Sequence, residues 1–70
     1  MKTVESPVSG VIQQYMVKVG DTVTEGQEVV MMESMKMEIN VDTVFDGTVT
    51  KILKQEGEMV QGDEALIILD

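Results

Sequence analysis

Six glycines, Gly10, Gly20, Gly26, Gly47, Gly57 and Gly62, cut the chain into short runs rich in Val, Ile, Thr and Met. Short β-prone runs bounded by glycine read as the strands of an all-β domain. The expected strands are Thr3 to Ser6, Val11 to Val17, Glu28 to Met35, Met37 to Asp42, Thr48 to Leu53 and Ala65 to Leu69, with shorter pieces near Thr22 and Met59. Glu28 to Ile39 is the best place for a helix. It carries no apolar stripe of helical period, and it holds the β-branched Val29, Val30 and Ile39.

The glycine-marked runs also repeat. Ser9-Gly10-Val11-Ile12 aligns with Asp46-Gly47-Thr48-Val49, and Gly20-Asp21-Thr22-Val23 with Gly57-Glu58-Met59-Val60. If one residue is deleted, Gly26-Gln27-Glu28-Val29 then falls opposite Gly62-Asp63-Glu64-Ala65. Two copies in so short a chain predict two halves related by a pseudo-twofold axis, each covering the apolar face of the other. In both copies the apolar alternation slips by one residue, between Ile12 and Tyr15 and between Val49 and Ile52, which predicts a β-bulge in each half. On this alignment Asp70 ends the second copy opposite Ser34. Met35-Lys36-Met37 then has no counterpart.

Composition narrows the function. Seventy residues suffice for one domain, 1–70, near the lower size limit for a self-sufficient core. With Tyr15 and Phe45 the only aromatics, that core must be aliphatic. Cysteine and histidine are both absent, which removes disulfides, thiolate nucleophiles, imidazole bases and the common transition-metal ligands. A net charge of −8 with no arginine argues against nucleic-acid binding. No apolar run reaches the length of a membrane span and no secretion signal is visible, so the expectation is a cytoplasmic protein without direct membrane contact. Asp42, Asp46, Asp63 and Glu64 lack the spacing of a calcium loop and are assigned no site.

Glu33-Ser34-Met35-Lys36-Met37-Glu38 joins two strand-like runs without Gly, Asn-Gly or Pro to make the turn. A tight hairpin needs unusual backbone angles at its centre, which residues bearing Cβ adopt at a cost. Such conflicts between local preference and fold are expected where function overrides it. Met31 and Met32, mid-strand, are read as core. Met35 and Met37, at an exposed tip, are read as a flexible apolar recognition surface. Glu33 and Glu38 are exposed carboxylates that could steer partners or simply be solvated.

This hexapeptide resembles the attachment motif of biotinyl domains, in which Ala or Ser precedes Met-Lys-Met. The likeness extends from Ser6-Pro7-Val8-Ser9-Gly10 through Val19-Gly20-Asp21-Thr22-Val23 to Asp46-Gly47-Thr48-Val49 and Gly57-Glu58-Met59-Val60. It implies the barrel-sandwich of two four-stranded sheets, with covalent biotin on Lys36 at a hairpin tip and with Met35 and Met37 marking the site. The chain departs from the family in having Thr43-Val44 where Ala-Pro is frequent. Between Gly10 and Gly20 there is no room for a protruding thumb, and no Ala/Pro-rich linker is visible, so a free-standing carrier or a trimmed piece are both compatible.

By the same resemblance a biotin protein ligase attaches biotin, a biotin carboxylase loads it with CO2, and a carboxyltransferase unloads it. The domain itself would be a carrier rather than an enzyme. The amine of an ordinary lysine is neutral in only about one molecule in a few thousand at pH 7, and the sequence offers no matched base, so the ligase must deprotonate it. Two other readings stay open. A lipoyl or glycine-cleavage carrier is less favoured, because lipoyl sites usually read Asp-Lys-Ala. An unmodified protein-interaction module is excluded by no residue. The acceptor of the carboxyl group is not encoded here.

Overall fold

A computed structural model describes residues 2–70. Its eight strands are β1 (Lys2–Glu5), β2 (Gly10–Tyr15), β3 (Thr22–Val23), β4 (Glu28–Ser34), β5 (Met37–Asp42), β6 (Gly47–Ile52), β7 (Met59–Val60) and β8 (Ala65–Leu69). All of the expected strands are present; Met37–Asp42 and Ala65–Leu69 have the expected bounds, and the other long strands end one or two residues away from theirs. β2 and β6 stop at Tyr15 and Ile52, where the chain bends, although Met16 and Leu53 still donate N–H to Val29 and Leu66. β4 stops at Ser34 because Met35 already has positive φ.

The strands form two four-stranded antiparallel sheets, ordered β1-β8-β6-β3 and β5-β4-β2-β7. Exchanging the two halves of the chain turns one order into the other, which is the pseudo-twofold. Both expected bulges occur, between Ile12 and Gln14 where β2 meets β4, and between Val49 and Lys51 where β6 meets β8. Each bulge turns two consecutive polar residues outward, so Ile12 and Val49 point inward without exposing the apolar residue that follows three places on.

The inner faces enclose one aliphatic cluster that includes Ile12, Val29, Val30 and Met32 from the second sheet and Val49, Leu66, Ile67 and Leu69 from the first. Met32 is fully buried. Met31 is only half-buried, between Gln14 and Asn40 on the outer face, because neighbouring residues of a strand face opposite ways. The expectation of a core role therefore holds for Met32 and not for Met31.

The repeat is longer and more regular than its sequence suggests. Val4-Glu5-Ser6 is equivalent to Val41-Asp42-Thr43, so β1 corresponds to β5. Ser6 and Thr43 are the buried polar residues; their hydroxyls donate to the carbonyls of Val8 and Phe45, two residues on. Phe45 N–H returns to Thr43 Oγ1 at 3.1 Å, and this local closure shapes the loop before β6.

The one-residue deletion is absent from the structure. Gly26 N–H donates to Thr43 O at 2.8 Å and Asp63 N–H to Ser6 O at 2.7 Å, so Gly26 is matched by Asp63, 37 positions on, as Gly20 is by Gly57. All four have positive φ, from 70° to 99°. Matching glycine to glycine misplaced the register, because aspartate is among the few side-chain-bearing residues that tolerate the left-handed region. Asp70 thus lies opposite Glu33 rather than Ser34.

This register predicts unequal glycine substitutions. Gly26→Ala, forced to keep positive φ, should cost about 1–2 kcal/mol. Gly62→Ala should stay within about 0.5 kcal/mol, because a Cβ there meets nothing closer than Val8 at 3.8 Å. Urea denaturation of the two variants measures the difference, and the reverse ranking would restore the deletion.

Candidate functional site

The hairpin of β4 and β5 closes through two residues, with Ser34 paired to Met37. Met35 and Lys36 have φ of 53° and 66°. Two consecutive positive φ values are what a type I′ hairpin turn requires, and Asn-Gly is the pair that adopts them most easily. Met and Lys adopt them here at roughly 1–2 kcal/mol per residue.

The strain places its residues in solvent. Met35 is 92% exposed and Met37 66%, and Lys36 is exposed between them. Ion pairs among the described residues belong to Lys54, with Glu64 at 3.1 Å and Glu58 at 4.0 Å, and leave Lys36 unpaired. Glu33 and Glu38 face each other directly across the hairpin, a like-charge pair that is mildly unfavourable for folding. The structure therefore brings Met35, Lys36, Met37 and the two carboxylates onto one protrusion.

What fixes the protrusion lies one strand away. Ser34 Oγ donates to Ser9 O at 2.8 Å, tying the base of the hairpin to the loop before β2. Gly10 follows, and a Cβ there would stand 2.5 Å from Glu33 O and 3.2 Å from Ser34 Cβ. Only glycine lets β2 pass so close beneath the tip. Gly47 makes the same approach to Asp70 O in the second half.

Beside the tip an open groove of about 440 Å³ runs between Met35 and Lys36 on one wall and Val11, Met59 and Gln61 on the other. Met59 is 70% exposed and pairs with Val11 across β7 and β2. Sequence reasoning did not place it at the site. The available signal was its position opposite the outward-facing Thr22 in the repeat, but that β7 lies beside β2 is a matter of topology. Met37 does not line the groove, so the two methionines flanking Lys36 are not equivalent.

Perturbed ionisation elsewhere is structural. The Gln61 N–H and the Lys54 ammonium hold the Glu64 carboxyl below the usual range, and burial, helped by Glu58, pushes the Tyr15 phenol up to about 12.

The site is an exposed lysine on a strained hairpin of a two-sheet pseudo-symmetric sandwich. The family profile described as "Biotin-requiring enzyme" matches residues 2–69, and the chain belongs to that family. It is 39% identical over 67 residues to the biotin/lipoyl attachment protein of Bacillus subtilis (strain 168), covering 96% of this chain and 92% of that one. To the biotin carboxyl carrier protein of Streptococcus mutans it is 37% identical over 67 residues, but spans only 52% of that protein. The crystal structure of Kluyveromyces lactis urea carboxylase contains the same fold, with a TM-score of 0.90 at 30% identity over 99% of this chain and 6% of that one. The chain is thus a biotin carboxyl carrier or biotin/lipoyl attachment domain, of a kind that occurs alone and within carboxylases.

If the turn is strained for display, relieving it should stabilise the protein. Met35→Asn combined with Lys36→Gly should raise the melting temperature by about 4–8 °C for each kcal/mol recovered. An unchanged or lower melting temperature would mean that the turn is not under strain.

Proposed function

We propose that the chain is a biotin carboxyl carrier in which Lys36 is the biotinylated residue and Met35 and Met37 are contacts by which biotin protein ligase recognises it. The observation that carries this reading is the position of Lys36. It is an exposed amine, unpaired among the described residues, on the strained two-residue turn that joins the two halves.

The donor set fits the group. Amide formation needs a primary amine that an activated carboxyl can approach, and Lys36 is exposed on the turn. In the ligase the Lys36 Nζ loses a proton and bonds to the activated biotin carboxyl carbon, whose leaving group departs. When bound, biotin carries CO2 between a biotin carboxylase and a carboxyltransferase. The chain's residues do the rest. Ser34 and Gly10 hold the hairpin base, the turn aims the side chain outward, and Met35 and Met37 offer adaptable apolar contact to each partner in turn. Tethering gives each active site a millimolar-scale local concentration of the group. The protein would work in the cytoplasm, with residues 1–70 acting as one unit.

The name of the Bacillus relative favours one second reading, lipoylation of the same lysine. Intact mass from a host with both ligases separates the two, since the additions differ in mass and only biotin binds avidin.

Lys36→Arg should abolish biotinylation with little change in stability, because charge is kept and the primary amine is lost. Exchanging the tip residues, as Met35→Lys with Lys36→Met, should also block it, since one step along the hairpin redirects the side chain. Avidin blotting after timed reaction with ligase reads both. Efficient labelling of Lys36→Arg would remove the assignment, and efficient labelling of the exchanged tip would remove its geometric basis.

A further inference from the structure

Resting on that reading, we propose that the groove between Met35 and Met59 is a resting seat for the biotin ring tethered to Lys36. The groove's volume of about 440 Å³ lies in the range of small-molecule sites, roughly 300–1,000 Å³. One wall contains the attachment residue itself, so the occupant is delivered by its own tether.

The chemistry of the walls matches the ring. Val11, Met35 and Met59 supply apolar surface for a bicyclic group that carries no charge. Acylation removes the only cationic group in the lining, leaving Glu33 as its sole charge. The ureido function of biotin has one carbonyl acceptor and two N–H donors. Gln61 accepts a hydrogen bond from Ser9 Oγ through Oε1, at 3.4 Å, which leaves its Nε2 donors without a protein partner among the described residues and available to a ureido carbonyl. The Glu33 carboxylate borders the groove and can accept from the ureido N–H groups.

Affinity need not be high. A short tether sets an effective concentration in the millimolar range, so a seat with a dissociation constant of about that size is occupied about half the time. Seating lays one face of the ring against the protein between partner visits, and a partner that binds the ring must first draw it out. Met37 lies outside the groove and stays free for contact.

The test compares the unmodified and biotinylated full chain by nuclear magnetic resonance with labelled methionine methyl groups. Biotinylation should shift the Met59 methyl resonance and give nuclear Overhauser contacts between it and the ring protons. Met59→Asn, at an exposed position, should lose those ring contacts and raise the association rate with streptavidin by up to about twofold, as release of a half-occupied seat requires. Intact mass separates the failures. Protein that never gains biotin overturns the carrier reading and this seat with it. Protein fully biotinylated, with an unmoved Met59 resonance and no ring contacts, overturns the seat alone. An unchanged streptavidin rate in Met59→Asn also counts against it.

Discussion

Ile12 and Met32 from one sheet share a buried cluster with Val49 and Leu69 from the other, and the architecture depends on that shared core. Neither half could bury its aliphatic face alone. With two aromatics in 70 residues, each sheet must supply branched side chains to cover the other, and the bulges after Ile12 and Val49 keep those side chains inward as the strands twist. The twofold is therefore an energetic arrangement as well as a pattern. Backbone hydrogen bonds repeat with it, such as Gly20 to Val49 and Gly57 to Ile12, at 2.8 and 2.7 Å.

The β4–β5 hairpin joins the two halves of that regular frame. The sandwich supplies a rigid base through Gly10 and the Ser34–Ser9 hydrogen bond, and the turn holds two side-chain-bearing residues at positive φ. Strain of this kind persists only where surrounding structure over-determines it. Here it delivers one amine and two methionines to solvent. A carrier needs little more, since a group that visits several active sites must be displayed by its scaffold and modified by others.

Much of this was legible in the sequence. Glycine spacing revealed the strands, the repeat revealed the twofold, and the slipped alternation at Gln13 and Thr50 revealed the bulges. The unmatched Met35-Lys36-Met37 located the tip. What was not legible had physical causes. Asp63 stands where Gly26 stands in the first half, and its tolerance of left-handed backbone concealed the true register. β1 and β5 share only Val4 with Val41 and an acid-hydroxyl pair, too little to align without the hydrogen bonds of Ser6 and Thr43. Met59 joins the tip only through the pairing of β7 with β2, a long-range contact that local sequence does not encode.

The central claim is that geometry singles out Lys36 from the other four lysines, Lys2, Lys18, Lys51 and Lys54. Peptide mapping by tandem mass spectrometry, after the full chain is incubated with biotin ligase, biotin and ATP and sampled over time, tests it most directly. The account predicts one modified peptide, carrying biotin on Lys36, while the other four lysines remain unmodified at every time point. Biotin appearing on Lys51 or Lys54 at a comparable rate, or on none of the five, would contradict it.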